Sequence, residues 1–346
     1  MRRLFTITAA VLLLLTGTSP SFSSSAREAS HRHHRGHHQY LVWSRFDDFE
    51  TGTARLVITR RGRVVPLTHP PAGTQDIDPR ISPDGRSILY ERDLPDTSQA
   101  WIIGIDGRGE HQLDLGCSAP CAGTNTPSWM PDGRNILYDR VSGPFNSNGD
   151  AASANLWKFD LRTHRNTRFS YAGLNPTTEE TYPTFAPAGY LIVLHGRQDG
   201  HSAIFRERLN GTHPRQITPW ALDADLPRVS SARTGPGHDL IVFETYGHGA
   251  PPGLGHGQQV STVPATCGSL ARCTRKIRYL TQSPLPAEDF NPAWSPNSRS
   301  IVYVHFTSSP PTVQGDIWTM GWNGQHKHPA SQDDRFEFRP AWGGVR

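Results

Sequence analysis

A chain of 346 residues that is 35% hydrophobic, with 32 glycines, 29 prolines and a mean hydropathy of −0.54, carries too many turn formers for long helices and suits one large domain of short, half-buried strands. The formal net charge of +4 and the pI near 9.0 invite a nucleic-acid reading. Only Lys158, Lys276 and Lys327 are lysines, however, and the arginines are scattered along the chain, which excludes a phosphate-tracking stripe and, with it, nucleic acid as a partner.

Residues 1–26 have the layout of a cleavable secretory signal: Arg2 and Arg3, an apolar run from Ala9 to Leu15, then small residues to Ala26. The run is too short to span a bilayer and no cysteine follows it to take a lipid, so the chain is expected to be secreted or extracytoplasmic with no membrane span. The paired arginines leave Sec and twin-arginine export both open. Residues 27–38 form a leader whose segment Ser30 to His38 is rich in histidine. It is either a solvated spacer or a tract that captures transition metals.

The domain proper is expected over 39–346 and is all-β. Tyr40-Leu-Val-Trp43, Ala54-Arg-Leu-Val-Ile58 and Val64-Val-Pro-Leu-Thr68 read as the second, third and fourth strands of a sheet that lacks its first. A unit then begins that the rest of the chain repeats, Asp76-Ile-Asp-Pro-Arg-Ile-Ser-Pro-Asp-Gly-Arg-Ser-Ile-Leu-Tyr90. Its proline recurs as Pro127, Pro183, Pro227, Pro292 and Pro340, and two positions later stands a large apolar residue: Ile81, Trp129, Phe185, Val229, Trp294 or Trp342. Such a two-residue step marks one face of a strand.

Ser82–Gly85, Met130–Gly133, Ala186–Gly189 and Ser295–Ser298 follow, with proline to preset φ and usually glycine to permit positive φ, the composition of hairpin turns. The second strands are Ile88–Tyr90, Ile136–Tyr138, Ile192–Leu194 and Ile301–Tyr303; the Pro227 copy reaches Ile241–Phe243 late, as a longer turn would require. Third strands appear at Trp101–Ile103, Asn155–Trp157, Ala203–Phe205, Val260–Thr262 and Asp316–Trp318. Asp106-Gly107, Asn210-Gly211 and Asn323-Gly324 then turn the chain into a fourth strand. Four antiparallel strands per unit of roughly 44 to 65 residues fit a propeller blade. The last stretch, Phe336 to Trp342, supplies the strand missing at the start. The expectation is a six-bladed β-propeller of four-stranded antiparallel blades, closed by the C-terminal strand so that no sheet edge stays open.

An acid, Pro-x-Trp, Ser-Pro-Asp-Gly-Arg, Ile-Leu-Tyr, a hairpin and a closing Leu-Thr together resemble the WD40-like (PD40) repeat of the TolB-like six-bladed propellers, over roughly residues 39–346. The resemblance implies that the Pro-x-Trp strand is innermost. No room is expected for the separate N-terminal α/β domain of TolB, so that protein's role in its envelope system is not carried over.

Cys117 with Cys121 and Cys267 with Cys273 are two close pairs in an exported chain, read as disulfides that staple loops. The first pair falls between units and the second in the hairpin before the fourth strand of the Pro227 unit. Zinc is the competing reading, but no second pair stands at finger spacing.

Three residues before the repeat proline stand Asp76, Glu180, Asp289 and Glu337, with Thr124 and Ala224 in the other copies and Asp223 and Asp225 beside the alanine. On innermost strands these acids would gather at one channel mouth and attract a cation or a basic peptide. Alternatively each accepts hydrogen bonds within its own unit, as recurring turn-entrance acids do. Asn146, Asn148 and Asp150 space three oxygens as a calcium loop begins, without its distal glutamate. Asn210-Gly-Thr212 matches a glycosylation sequon that the hairpin already explains. His195, His201, His213, His305 and His326 show no ligand spacing.

No nucleophile elbow, His-Glu-x-x-His or phosphate loop occurs, so no catalytic residue, metal or cofactor is assigned. The reading is an exported, non-enzymatic, monomeric propeller that binds a protein or cell-envelope partner through one face or the channel mouth. The alternative is a secreted carbohydrate-active enzyme, a lyase or hydrolase with its site in the central channel. Three or more histidines or carboxylates converging in that channel would mark the enzyme.

Overall fold

The computed structural model describes residues 38–48, 51–143, 153–169, 178–197, 200–246, 257–309, 312–331 and 334–345. Within them the regular elements are strands, apart from two short helical turns at Trp220–Leu222 and Leu270–Thr274. No described helix is long and apolar enough to cross a membrane. The expected signal, most of the histidine-rich leader and the Asn146–Asp150 loop lie outside the described residues.

Each repeat proline sits in the first of four antiparallel strands. The Pro79 unit is Gln75–Ile81, Ser87–Asp93, Ser98–Gly104 and His111–Gln112. The Pro127 unit is Cys121–Trp129, Asn135–Ser142, Ser153–Asp160 and Arg165–Arg168, and the Pro183 unit is Thr178–Ala186, Tyr190–Arg197, Ser202–Arg208 and Arg215–Gln216. Ala224–Val229, Leu240–Thr245, Gln259–Pro264 and Arg278–Tyr279 make the Pro227 unit. Glu288–Trp294, Ser300–Ser309, Thr312–Gly321 and His328–Pro329 make the next. The N-terminal strands His38–Asp48, Thr53–Arg60 and Arg63–Pro66 take the C-terminal strand Glu337–Val345 as their fourth member, with Leu41 opposite Trp342. A single parallel bridge, Ala54 opposite Gln75, joins this set to the Pro79 unit.

The turns form as their residues dictate. Gly85, Gly133 and Gly189 take φ of 74°, 63° and 86°, and Ser298 holds the same place at 58°. In each, the N–H at that position donates to the carbonyl three residues back. The fourth strands are shorter than expected because a side chain finishes the ladder. Thr68, Thr218 and Thr281 accept the backbone N–H of Leu56, Ile204 and Val260 at 3.0, 2.8 and 2.9 Å, while the preceding Leu67, Ile217 and Leu280 are buried. The core lies between neighbouring sheets: Tyr40, Val42, Leu56 and Ile58 of the first set pack on Ile88, Tyr90 and Ile103 of the second.

Every first strand breaks register at its proline. The residue before it is Asp78, Thr126, Tyr182, Leu226, Asn291 or Arg339, and each has φ between 45° and 53°, a region that residues with a Cβ seldom enter. The pairing skips at the same place in each strand, for example between Ile77 and Arg80 and between Asn125 and Ser128. These are β-bulges, set where proline removes a ladder donor and the strand must re-aim its side chains. Four of the freed amides are satisfied from the neighbouring unit: Thr126 N–H by Glu91 at 2.8 Å, Tyr182 N–H by the Thr126 hydroxyl at 3.2 Å, Asn291 N–H by Glu244 at 2.7 Å, and Arg339 N–H by the Asn291 side chain at 3.1 Å. The bulge thus links units as well as bending strands.

Candidate functional site

Beyond the bulges the first strands open onto a cavity of about 1000 Å³ whose wall is drawn from all the proline-bearing strands. The residues after the prolines form its floor: Arg80, Ser128, Thr184, Arg228, Ala293 and Ala341. The hairpin turns and the long Pro227 turn, including Arg233, form its sides. The charged lining residues are Arg80, Arg228, Arg233 and Arg299, and the lining holds no Asp, Glu, Lys, His or Cys. Trp129 and Trp294 also line it, but they are only 9% and 6% exposed. Their indole N–H groups donate to the carbonyls of Arg80 and Arg228, each at 3.1 Å, which fixes the backbone under both guanidinium groups.

Around the axis three arginines surround Asp78 and two of them bond it, with Asp225 and Glu244 also close to Arg339. Arg339 Nη1 donates to Asp78 Oδ2 at 2.6 Å and Arg228 Nη2 to Oδ1 at 3.4 Å, while Arg339 also reaches the Tyr182 hydroxyl at 3.4 Å. Burial pushes the Asp78 carboxyl up, but Arg339, Arg228 and Arg80 outweigh it and hold the group below its ordinary value. Arg80 fares differently. Its Nε and Nη2 are buried and, among the described residues, have no hydrogen-bond partner. Burial, reinforced by the nearby Arg228 charge, drives its pKa well below the usual guanidinium value.

The four repeat acids stand on the other side of the bulge and none lines the cavity. Asp76 is held by Arg92 through both oxygens, Nε to Oδ1 at 2.6 Å and Nη2 to Oδ2 at 2.9 Å. Asp289 takes His305 Nδ1 at 2.8 Å and the Ser283 hydroxyl at 2.6 Å, and Glu337 takes the Trp43 indole at 2.7 Å and the Ser331 hydroxyl. All four are buried.

Glu180 falls into a different group. Its carboxylate, His195 and Glu207 place ligand-type atoms within 4.8 Å of one another, inside the sheet of the Pro183 unit. His195 Nε2 and Glu207 Oε1 share a hydrogen bond of 3.1 Å. Burial holds His195 neutral, with its pKa down to about 4, and raises Glu207 to about 8. At neutral pH His195 is therefore neutral and Glu207 holds its proton, so a cation would have to displace that proton to use Glu207 as a ligand. None of the three lines the cavity. His201 and His305 likewise have carboxylate partners, Asp223 and Asp289, at 2.8 Å.

Both cysteine pairs are disulfides, Cys117–Cys121 entering a first strand and Cys267–Cys273 bracketing the Leu270–Thr274 turn. The residues that sequence reading missed are Asp78, Arg80, Arg228 and Arg339. A signal existed, since the position after the proline reads Arg, Ser, Thr, Arg, Ala, Ala and faces opposite to the apolar residue that follows it.

No family model matches the chain. Over 91 residues, 26% of this chain, it is 34% identical to the "uncharacterized peptidase YuxL" of Bacillus subtilis (strain 168), and that stretch spans 13% of the Bacillus protein. The solved structure of TolB from Acinetobacter baumannii superposes with a TM-score of 0.62 at 17% identity, over 88% of this chain and 66% of that one. A putative TolB from Agrobacterium tumefaciens gives 0.55 at 14% identity, over 89% and 98%. The fold is a TolB-like β-propeller. The chain covers less than two thirds of the Bacillus and Acinetobacter proteins, and at these identities the structural likeness establishes fold alone. Within this chain the arginine floor stands where the copies of the repeat diverge, and repeats serve the fold first.

Proposed function

We propose that this propeller is exported, closes into a six-bladed ring, and acts as a monomer by binding a protein or cell-envelope partner at its cavity face, without catalysing a reaction. Residues 1–26 serve as the secretory signal, 27–38 as leader and 39–346 as the ring. Closure is supported by the pairing of Glu337–Val345 with His38–Asp48 and by the first strands touching in succession, the C-terminal one meeting both Gln75–Ile81 and Glu288–Trp294. Two disulfides and no free cysteine among the described residues support an extracytoplasmic compartment.

One observation carries the binding reading: the cavity gathers arginines, hydroxyls and turn backbone from around the axis and contains no carboxylate, histidine or thiol to act as base or nucleophile. The carbohydrate-active alternative requires such groups in the channel. Among the described residues the histidine-carboxylate trio that converges lies within a sheet and outside the cavity lining.

A photo-crosslinking residue placed at Ser231 on the cavity wall, with Arg162 in an outer turn as control, tests the reading in the secreted protein. The expected result is a discrete crosslinked partner from position 231 and none from 162. Turnover of a polysaccharide by the purified protein, with no partner captured from the wall, would replace binding with catalysis.

A further inference from the structure

The Arg80 guanidinium has a counterpart in this chain that shows what it lacks. In Arg92 the same two nitrogens, Nε and Nη2, grip both oxygens of Asp76 at 2.6 and 2.9 Å. In Arg80 neither has a hydrogen-bond partner among the described residues, and the residue is only 7% exposed. The side-on edge of an arginine is a two-pronged donor matched to a planar carboxylate, and leaving it unpaired in the interior is costly. Asp78 bonds Arg339 and Arg228 and makes no hydrogen bond to either of these Arg80 nitrogens.

From this vacant edge we infer that the cavity floor is a carboxylate site, in which Arg80, assisted by Arg228, receives an acidic side chain from an extended peptide of the partner. The inference rests on the cavity being a binding surface. In the free chain the two nitrogens are closed off from solvent while the residue lines the cavity. No hydrogen bond holds that edge in place, so turning it to meet a ligand breaks none. Arg339 also faces Asp225 and Glu244, and Arg228 faces Glu244, carboxyls that burial raises. It is therefore the charge of Arg80, beside Arg228 and with Asp78 bonded by the other two arginines, that a carboxylate would offset in a setting where charges are poorly screened. Arg233 and Arg299 extend the positive wall outward and would draw acidic segments toward the floor.

A peptide fits better than an acidic sugar. Sugar sites stack rings on open aromatic faces, whereas here Trp129 and Trp294 are buried with their indoles committed to backbone carbonyls. Phe185 and Trp342 are the partly exposed aromatics of the lining, and the floor itself offers paired Arg80 donors in place of a stacking platform. A phosphate fits less well too. Beyond the arginines the floor offers the hydroxyls of Ser128 and Thr184 but no lysine, while Ala293 and Ala341 complete it with methyl groups.

The test titrates the mature protein with a five-residue glutamate peptide, and in parallel with pentagalacturonate and with inorganic phosphate, by calorimetry at fixed ionic strength. The glutamate peptide is expected to bind most tightly. Arg80→Gln should weaken it at least tenfold and Arg80→Lys at least fivefold, since an ammonium gives no paired donors. Neither variant should lower the denaturant midpoint, because the lost edge had no partner. Lack of peptide binding to the wild type, or wild-type affinity in both variants, would overturn the site. Tighter binding of pentagalacturonate or phosphate would overturn the assignment to a peptide. A partner still crosslinked from Ser231 in the face of either result would leave the binding role standing and remove only the carboxylate.

Discussion

The two sides of the repeat proline behave oppositely. Upstream, where the acids recur, each charge is answered inside its own or the neighbouring unit: Asp76 by Arg92, Asp289 by His305, Glu337 by Trp43 and Ser331. Downstream, where the copies read Arg, Ser, Thr, Arg, Ala and Ala, the Arg80 edge has no answer within the described residues. A position that four of the six units keep acidic has been fitted to its unit. A position that varies from unit to unit is fitted to something the units share, and what they share is the axis.

The largest effect expected is loss of the strand that joins the ends. Deleting residues 337–345 removes the neighbour of His38–Asp48, takes Phe338 and Trp342 from beside Trp43, and leaves an open sheet edge. The truncated chain should lose its cooperative unfolding transition and aggregate, read by circular dichroism and size-exclusion chromatography. A truncated chain that stays monomeric and melts like the parent would discard ring closure.

The next test sets the two sides of the proline against each other. Asp76→Ala leaves the Arg92 guanidinium, whose side chain is 8% exposed, with Glu110 at 2.8 Å as its carboxylate partner, and should cost about 2–3 kcal/mol in urea unfolding. Its affinity for the glutamate peptide should stay within twofold of wild type. Arg80→Gln is expected to do the reverse, sparing stability and losing affinity. If Asp76→Ala impaired binding as strongly as Arg80→Gln, the division of labour would be wrong.

The two disulfides offer a smaller contrast. Each closes a short loop, for which chain entropy gives about 2 kcal/mol. Cys267 and Cys273, however, pack in the cluster around Ile241, Phe243 and Val263, whereas Cys117 lies in an exposed connection. Cys267→Ser with Cys273→Ser should therefore lower the urea midpoint more than Cys117→Ser with Cys121→Ser, by about 1 kcal/mol of added burial loss. Equal effects would mean that loop closure alone matters.

Much of this was legible in the residues because it is local. The alternation that puts Ile81 or Trp129 on one strand face, the Pro-Asp-Gly turns and the Asn-Gly hairpins each fix geometry within a few positions. The site was harder to read for the converse reason. Arg339 and Asp78 stand 261 positions apart and meet only because each unit delivers one bulge to the axis. The bulge was also hidden: proline signals a bend, but nothing in Asp78, Tyr182 or Arg339 announces the positive φ that a glycine would have advertised. The partners of Asp76 and Asp289 come from the second strand, where Arg92 belongs to no motif and His305 shows no ligand spacing.

The smallest effect separates the buried trio from the cavity by pH. Glu207 titrates at about 8 in the folded chain because of burial, against an ordinary value of 4.5. Between these values the folded state keeps a proton that the unfolded state releases, so stability falls as pH rises and the loss ends above pH 8. His195, lowered to about 4 by burial, acts in the opposite sense: below 6.5 the unfolded state binds the proton, and stability rises with pH up to that point. The two oppose each other below 6.5 and only the Glu207 contribution remains between 6.5 and 8, at most about 1.4 kcal/mol per pH unit. Asp139 and Glu244, both raised by burial to about 7, add to the same decline. Glu207→Gln keeps a neutral partner for His195 and removes the titration. Its urea midpoint should fall less steeply over that window than that of the wild type, with glutamate-peptide affinity unchanged. Parallel pH profiles would place the proton elsewhere, and a change in peptide affinity would connect the trio to the cavity after all.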